Sequence, residues 1–136
     1  GGSFFEGVTP FNSRFVFFTD TSFTVISQLK GIQQFPLGRV YRYDRWQDSI
    51  NLYLGDSGKA IGMARDHRGN LIVATGADFG QRAIKSINTN SREQRYYTAL
   101  FNNTQYNSPN DVIVDPFGRI LFSDPRYEGQ PFETIQ

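Results

Sequence analysis

The sequence predicts an all-β fold made of repeated four-stranded antiparallel sheets, and three observations lead to this prediction. Aromatic residues are abundant, with 13 Phe and 7 Tyr, and 13 Gly residues separate short apolar runs. Such a composition favours strands over helices. Several segments alternate apolar and polar residues, which is the period of a half-buried strand. Finally, the order Asp, two residues, Gly, a polar residue and an apolar run occurs at both Asp66 and Asp115, 49 positions apart. A repeat of this length indicates an array of similar units.

The first unit contains three segments with strand character. Residues 14–20 are aromatic and β-branched, while Arg39–Asp44 and Ser49–Leu54 alternate apolar and polar side chains. An insertion of mixed character, residues 21–37, separates the first segment from the second. Within it, residues 25–29 are predicted to form either a short helix or an extra turn.

The second unit contains four strand segments, at residues 61–66, 70–75, 82–87 and 94–100. The first two are joined by a turn at Gly69, and the last two by Asn88-Thr89-Asn90-Ser91. Short polar side chains of this kind bond to nearby backbone and tolerate tight conformations. We therefore expect four antiparallel strands joined by short turns.

The third unit begins at residues 111–114, turns at residues 116–118 and continues through residues 120–122. Four-stranded units repeated at about 40–50 residues are the blades of a β-propeller. The expected limits are about 4–56 for blade 1 and about 57–106 for blade 2, with part of blade 3 at about 107–136.

The expected number of blades, about two and a half, is too small for a closed ring. Complete propellers have about four to eight blades, and an open arc exposes sheet edges that invite association. We therefore expect a second chain, or additional copies of this one, to complete the propeller. The alternative is a self-contained β-sandwich in which the repeat is accidental.

The composition excludes several classes of function. The 14 basic and 13 acidic residues give a net charge of +1, so there is no electrostatic footprint for nucleic acid. The lack of cysteine removes disulfides, thiolate metal sites and cysteine nucleophiles. No apolar run approaches the roughly 20 residues that span a bilayer, and the first six residues do not resemble a signal peptide. No membrane partner is expected, and the compartment stays open. One glycosylation sequon, Asn102-Asn103-Thr104, matters only if the protein is exported.

A polar turn precedes the first strand of the third unit. It contains Asn107, Ser108, Asn110 and Asp111, whose amide, hydroxyl and carboxylate oxygens are the ligand type that hard divalent cations take. The turn is therefore a candidate cation site.

Three motifs in chain order carry a resemblance to a known family. They are Phe5-Glu6-Gly7-Val8 before residues 14–20, Ser57-Gly58-Lys59-Ala60-Ile61-Gly62-Met63 before residues 66–72, and Asn107-Ser108-Pro109-Asn110-Asp111 continuing to Asp124-Pro125-Arg126-Tyr127. With their blade spacing, they resemble the SMP-30/gluconolactonase/regucalcin-like family of six-bladed propellers. The likeness covers essentially the whole chain, as the N-terminal portion of such a ring.

The resemblance implies a metal-dependent hydrolase of lactones with one divalent cation, calcium first and zinc or manganese as alternatives. By motif, Glu6 matches the family's first-blade ligand and Asn110 its third-blade ligand. The catalytic base is expected beyond Gln136, so no catalytic residue is named. Asp111, Asp124 and Tyr127 are candidates for supporting the ligands or lining the cleft.

Each of these residues also has a structural interpretation. Glu6 could be a solvated acid, Asn110 could cap the strand that follows it, and Asp111 could accept backbone hydrogen bonds. Because Asp66 and Asp115 occupy the same place in the repeat, they are expected to stabilise turns. A catalytic dyad on His67, the only histidine, is not expected, since no Gly-x-Ser-x-Gly elbow is present.

One position departs from the family pattern. Relatives usually have Asn-Gly where this chain has Ile61-Gly62, so a hydrogen-bonding amide is replaced by an apolar side chain. This departure motivates an alternative function, a non-catalytic ligand-binding or structural propeller. A third possibility keeps catalysis with another substrate, such as a phosphotriester, because a fold does not fix a function.

Overall fold

The computed structural model describes residues 5–21, 38–77 and 80–126. Within these ranges the chain forms strands and turns and contains no helix, which confirms the all-β prediction. The proposed helix or turn at residues 25–29 lies outside the described residues. No helix within the described ranges is long and apolar enough to cross a membrane.

The first sheet has four antiparallel strands in chain order. They are β1 (Phe5–Pro10), β2 (Phe15–Asp20), β3 (Arg39–Asp44) and β4 (Ser49–Leu54). The last three match the predicted segments. The sequence places Glu6 ahead of the first strand, whereas the structure pairs it with Thr19 inside β1. Gly7 interrupts the alternation of β1, which is why the strand is hard to see in the sequence.

The second sheet confirms the predicted unit of four antiparallel strands. It consists of β5 (Ala60–Arg65), β6 (Leu71–Thr75), β7 (Ala83–Ile87) and β8 (Gln94–Thr98). An unpredicted hairpin follows, formed by β9 (Leu100–Phe101) and β10 (Thr104–Gln105). A further antiparallel pair, β11 (Val112–Val114) and β12 (Ile120–Phe122), begins the third unit as predicted.

The sheets pack face to face through β6, which is buried along its whole length. Leu71 and Val73 join one core cluster with residues of the first sheet. The alternating residues Ile72 and Ala74 join a second cluster with Val112 of the third unit. Burying an aliphatic side chain of this size contributes about 1.5–3 kcal/mol, so both faces of the second sheet stabilise the stack. The first cluster comprises Phe17, Val40, Tyr53, Ala60, Met63, Leu71, Val73 and Ile87.

The stacking also brings the first strands of successive sheets together. β1 contacts β5, and β5 contacts β11. This is the arrangement expected of neighbouring propeller blades, with their first strands on one side of the stack. The residue limits assigned to each blade stay predictions.

Candidate functional site

Two irregularities shape the strands that meet at the candidate site. The register of β1 against β2 shifts between Glu6 and Thr9, and that of β5 against β6 shifts between Ala60 and Met63. A bulge of this kind re-aims the neighbouring side chains. Gly7, inside the first bulge, has φ +58°, which glycine adopts without a steric penalty.

Threonine hydroxyl groups of β1 and β2 fasten the first sheet to the bulged strand β5. Thr9 Oγ1 donates a hydrogen bond to the carbonyl oxygen of Met63 at 2.8 Å, and Thr19 Oγ1 donates to that of Ile61 at 2.9 Å. Both bonds are buried. They fix the position of β1, and with it Glu6, relative to β5.

The second bulge lies directly against the polar turn of the third unit. The backbone N–H of Gly62 donates to the carbonyl oxygen of Asn110 at 2.8 Å. A methyl group at Gly62 would lie 2.6 Å from that oxygen and 2.7 Å from Cα of Asp111. The close approach therefore depends on glycine. At Gly7, a methyl group would collide with the carbonyl oxygen of Ile61.

These approaches place Glu6 and Asn110 in the wall of one depression of about 320 Å³. The sequence predicts both as ligands from separate motifs, and the structure brings them together. Asp111 lines the same depression. The remaining lining residues are Gly7, Val8, Ile61, Gly62 and Met63.

Asp111 has the contacts expected of a residue that organises the turn. Its Oδ1 accepts a hydrogen bond from the N–H of Val112 at 2.9 Å, and its own N–H donates to Ser123 Oγ at 3.1 Å. The backbones of residues 110–111 and Ser123 exchange two more bonds, of 3.1 and 3.0 Å. The turn is thus held against the chain that follows β12.

Asp124 braces the start of the same turn. Its two carboxylate oxygens accept hydrogen bonds from the N–H groups of Asn107, at 2.8 Å, and Ser108, at 2.7 Å. Asp124 is not among the residues that line the depression. Tyr127, the other candidate for the cleft, lies outside the described residues.

Ile61 occupies the position in the second unit that Asn110 occupies in the third, by the 49-residue repeat. Its side chain is only 9% exposed and packs against Gly76, where a methyl group would collide with it. The departure from the family pattern therefore leaves this side of the depression without a polar side chain.

The repeated Asp residues stabilise turns, as predicted. Asp66 Oδ1 accepts bonds from the N–H groups of Arg68 and Asn70, and Asp115 Oδ1 accepts from Phe117 and Arg119. Although burial alone raises the pKa of Asp115, the bonds from Arg119 and Phe117 lower it overall. His67 joins the two turns, since its Nε2 lies 2.9 Å from the carbonyl oxygen of Asp115.

The donor set of the depression is of the type that a hard cation binds. Its lining includes the carboxylate residue Glu6, the amide residue Asn110 and a second carboxylate residue, Asp111, all of which carry side-chain oxygen atoms. Calcium takes six to eight oxygen ligands. Across the described ranges, no group of three or more His, Cys, Asp or Glu side chains could hold a metal ion. The residues present fit part of a cation site.

Comparison with protein families gives the observation that decides the relationship. Residues 32–134 match the model described as the SMP-30/gluconolactonase/LRE-like region. The chain belongs to this family. No curated protein matches the sequence.

Two solved structures of similar fold are described as gluconolactonases, one of them provisionally. A gluconolactonase of Xanthomonas campestris superposes with a TM-score of 0.73 and 21% identity, over 97% of this chain and 39% of that protein. A protein provisionally assigned as a gluconolactonase gives a TM-score of 0.68 and 23% identity, over 93% of this chain and 38% of that protein. The chain thus spans about two fifths of their length, and the likeness confirms the β-propeller fold.

Sequence reasoning missed the residues that set the geometry of the depression. Thr9 and Thr19 are not recognisable as cross-links, because their partners are backbone carbonyl groups of a distant strand. A signal for the bulges did exist. Glycine follows both Glu6 and Ile61, and an isolated glycine inside a strand pattern indicates a bulge or a close backbone approach.

Proposed function

We propose that this chain supplies part of the site of a metal-dependent lactone hydrolase of the gluconolactonase type. The observation that supports the proposal is the convergence of Glu6 and Asn110, from opposite ends of the chain, on one depression. Membership of the family, which rests on a match over 103 residues, 32–134, is the reason for proposing this class of reaction. The location of the site is proposed from the side-chain chemistry of Glu6 and Asn110, which line the depression.

In this proposal Glu6 and Asn110 hold one divalent cation, calcium first, with zinc or manganese as alternatives. When bound, the cation polarises the lactone carbonyl and stabilises the charge that develops on its oxygen. Asp124 holds the backbone of residues 107–108, and Gly62 fixes the carbonyl of Asn110. Both contacts keep the amide of Asn110 in place. The remaining ligands and the base come from outside the described residues.

The complete site requires a complete propeller. We propose that this chain acts together with the remaining blades, supplied by a second chain or by further copies. This chain together with whatever supplies those blades is the complete propeller. The substrate is a small lactone that fits a depression of this size.

A second candidate function is a ligand-binding or structural propeller without turnover. The observation that favours it is Ile61, which brings no polar side chain to the depression where the family usually has an amide. A substrate with several hydroxyl groups loses one hydrogen-bonding partner there, and an unpaired buried hydroxyl costs about 1–3 kcal/mol.

The test is an assay of hydrolysis by the complete propeller, in which the protons released are measured. The substrates are a panel of lactones and one phosphotriester. Each substrate is assayed with calcium, zinc or manganese, and again after chelation. We expect lactone hydrolysis that requires a cation, and a loss of at least about tenfold in kcat/KM for Asn110→Ala. Asn90→Ala, in an exposed turn, is the control and keeps full activity. Binding without turnover on any substrate would support the second candidate instead.

A further inference from the structure

The hairpin formed by β9 and β10 is not used by the proposed site. Its six residues, 100–105, are all exposed. Phe101 pairs with Thr104, so Asn102 and Asn103 form a two-residue loop between the strands. Both have positive φ, +47° and +62°, which is the signature of a type I′ turn.

The turn explains part of this sequence but not all of it. The central positions of a type I′ turn are dominated by Gly, Asn and Asp, because both need positive φ, so the turn alone accounts for Asn102 and Asn103. It does not require threonine at the next position or an exposed aromatic residue before the loop. Thr104 completes the order Asn-x-Thr, which is the acceptor sequence for N-linked glycans.

Phe101 offers an apolar surface beside the acceptor. It is 54% exposed, and Leu100 next to it is 55% exposed. Directly opposed residues of an antiparallel pair project from the same face, so the ring of Phe101 and the hydroxyl of Thr104 lie side by side. The face of an aromatic ring is electron-rich, and it attracts the polarised C–H groups of a sugar that stacks on it.

We propose that Asn102 carries an N-linked glycan whose first sugar covers Phe101. In the transfer, the side-chain nitrogen of Asn102 loses one proton and bonds to the anomeric carbon of the sugar. The bond from that carbon to a lipid-linked diphosphate donor breaks, and the lipid diphosphate leaves. This chemistry takes place in the secretory route, so the proposal includes passage of the chain through it.

A glycan at this place leaves the candidate site open. None of residues 100–105 lines the depression that contains Glu6 and Asn110. Covering Phe101 also removes exposed apolar surface from this hairpin, where such surface promotes association.

The deciding experiment is glycopeptide mapping of the protein isolated from its natural source. An amidase that releases N-glycans converts the carrier asparagine to aspartate, so the modified position is read from the peptide mass. We expect this conversion at Asn102. An unmodified Asn102 in the natural protein overturns the proposal.

Variants secreted from a eukaryotic host test the role of each residue. Asn102→Gln and Thr104→Ala should abolish the modification, whereas Asn103→Gln alters the same turn and keeps the acceptor sequence. Removing the glycan should lower the melting temperature by about 2 °C, and by less in Phe101→Ala. An equal shift with and without the ring would refute the stacking, and modification of Asn102→Gln at this peptide would refute the acceptor assignment.

Discussion

The close approach of Gly62 to the turn that carries Asn110 predicts a large effect of Gly62→Ala. The added methyl group would lie 2.6 Å from the carbonyl oxygen of Asn110 and 2.7 Å from Asp111 Oδ1. The backbone of Gly62 does not lie in the positive-φ region, so alanine adopts it without conformational strain. The predicted cost is therefore steric.

Its magnitude follows from the distances. Ordinary contacts begin at 3.4 Å, so β5 and the turn must separate by about 0.8 Å. The bond from Gly62 N–H to Asn110 then lengthens beyond hydrogen-bonding distance. Overpacking costs about 1–3 kcal/mol and the lost bond about 1 kcal/mol. We expect the free energy of unfolding to fall by about 2–4 kcal/mol, with weaker cation binding because Asn110 moves.

The assay is denaturant unfolding of the complete propeller, with Gly55→Ala as the matched control. A methyl group at Gly55 meets no atom within 4 Å, so this variant should stay within about 0.5 kcal/mol of the unmodified protein. If Gly62→Ala and Gly55→Ala have the same stability, the inferred contact between β5 and the polar turn is wrong.

Three further predictions concern the scaffold. Asp66→Ala should lower the free energy of unfolding by about 1–3 kcal/mol, because two backbone N–H groups lose their acceptor; cation binding measured in parallel should not change. Burial lowers the pKa of Lys85 to about 8. Between about pH 8 and 10.5, Lys85 therefore binds more protons in the unfolded protein than in the folded protein. In this range its titration makes the free energy of unfolding rise with pH. Unfolding measured at several pH values should show a smaller rise in Lys85→Met, and an unchanged rise would contradict the assignment. The hydrogen bond from Arg14 lowers the pKa of Asp44. Stability from this pair is present above the unfolded pKa of about 3.9 and is lost as pH falls through the lowered folded value. Denaturant midpoints at pH 7 and pH 3 should therefore differ less in Asp44→Asn, and an equal difference would count against the pair.

Much of the fold is predictable because local patterns and tertiary packing agree. In Arg39–Asp44 and Ser49–Leu54 the alternation matches the strand period, and in β6 a continuous apolar run matches a strand buried on both faces. The short hairpin after β8 was missed because its apolar residues are exposed. Its apolar residues therefore do not follow the pattern of a strand that faces a core. The asparagines at the turn, Asn102 and Asn103, were the sequence feature that could have indicated the hairpin.

The candidate site is only partly readable from the sequence. Family motifs identify Glu6 and Asn110 separately, but nothing local shows that they share one depression. That juxtaposition comes from bulges in β1 and β5 and from bonds between side chains and distant carbonyl groups. Such contacts depend on three-dimensional register. For the same reason Asp124 could be suspected near the cleft, while its role in bracing residues 107–108 required the structure.

The central claim is that Glu6 and Asn110 bind the same cation, and calorimetric titration of calcium into the metal-free complete propeller tests it most directly. The account predicts one site per propeller, with affinity reduced at least about tenfold in both Glu6→Gln and Asn110→Ala. Glu93→Gln, an exposed acid in an outer turn, should bind calcium like the unmodified protein. If both site variants bind calcium with unchanged affinity, these residues are not ligands and the proposed site is wrong.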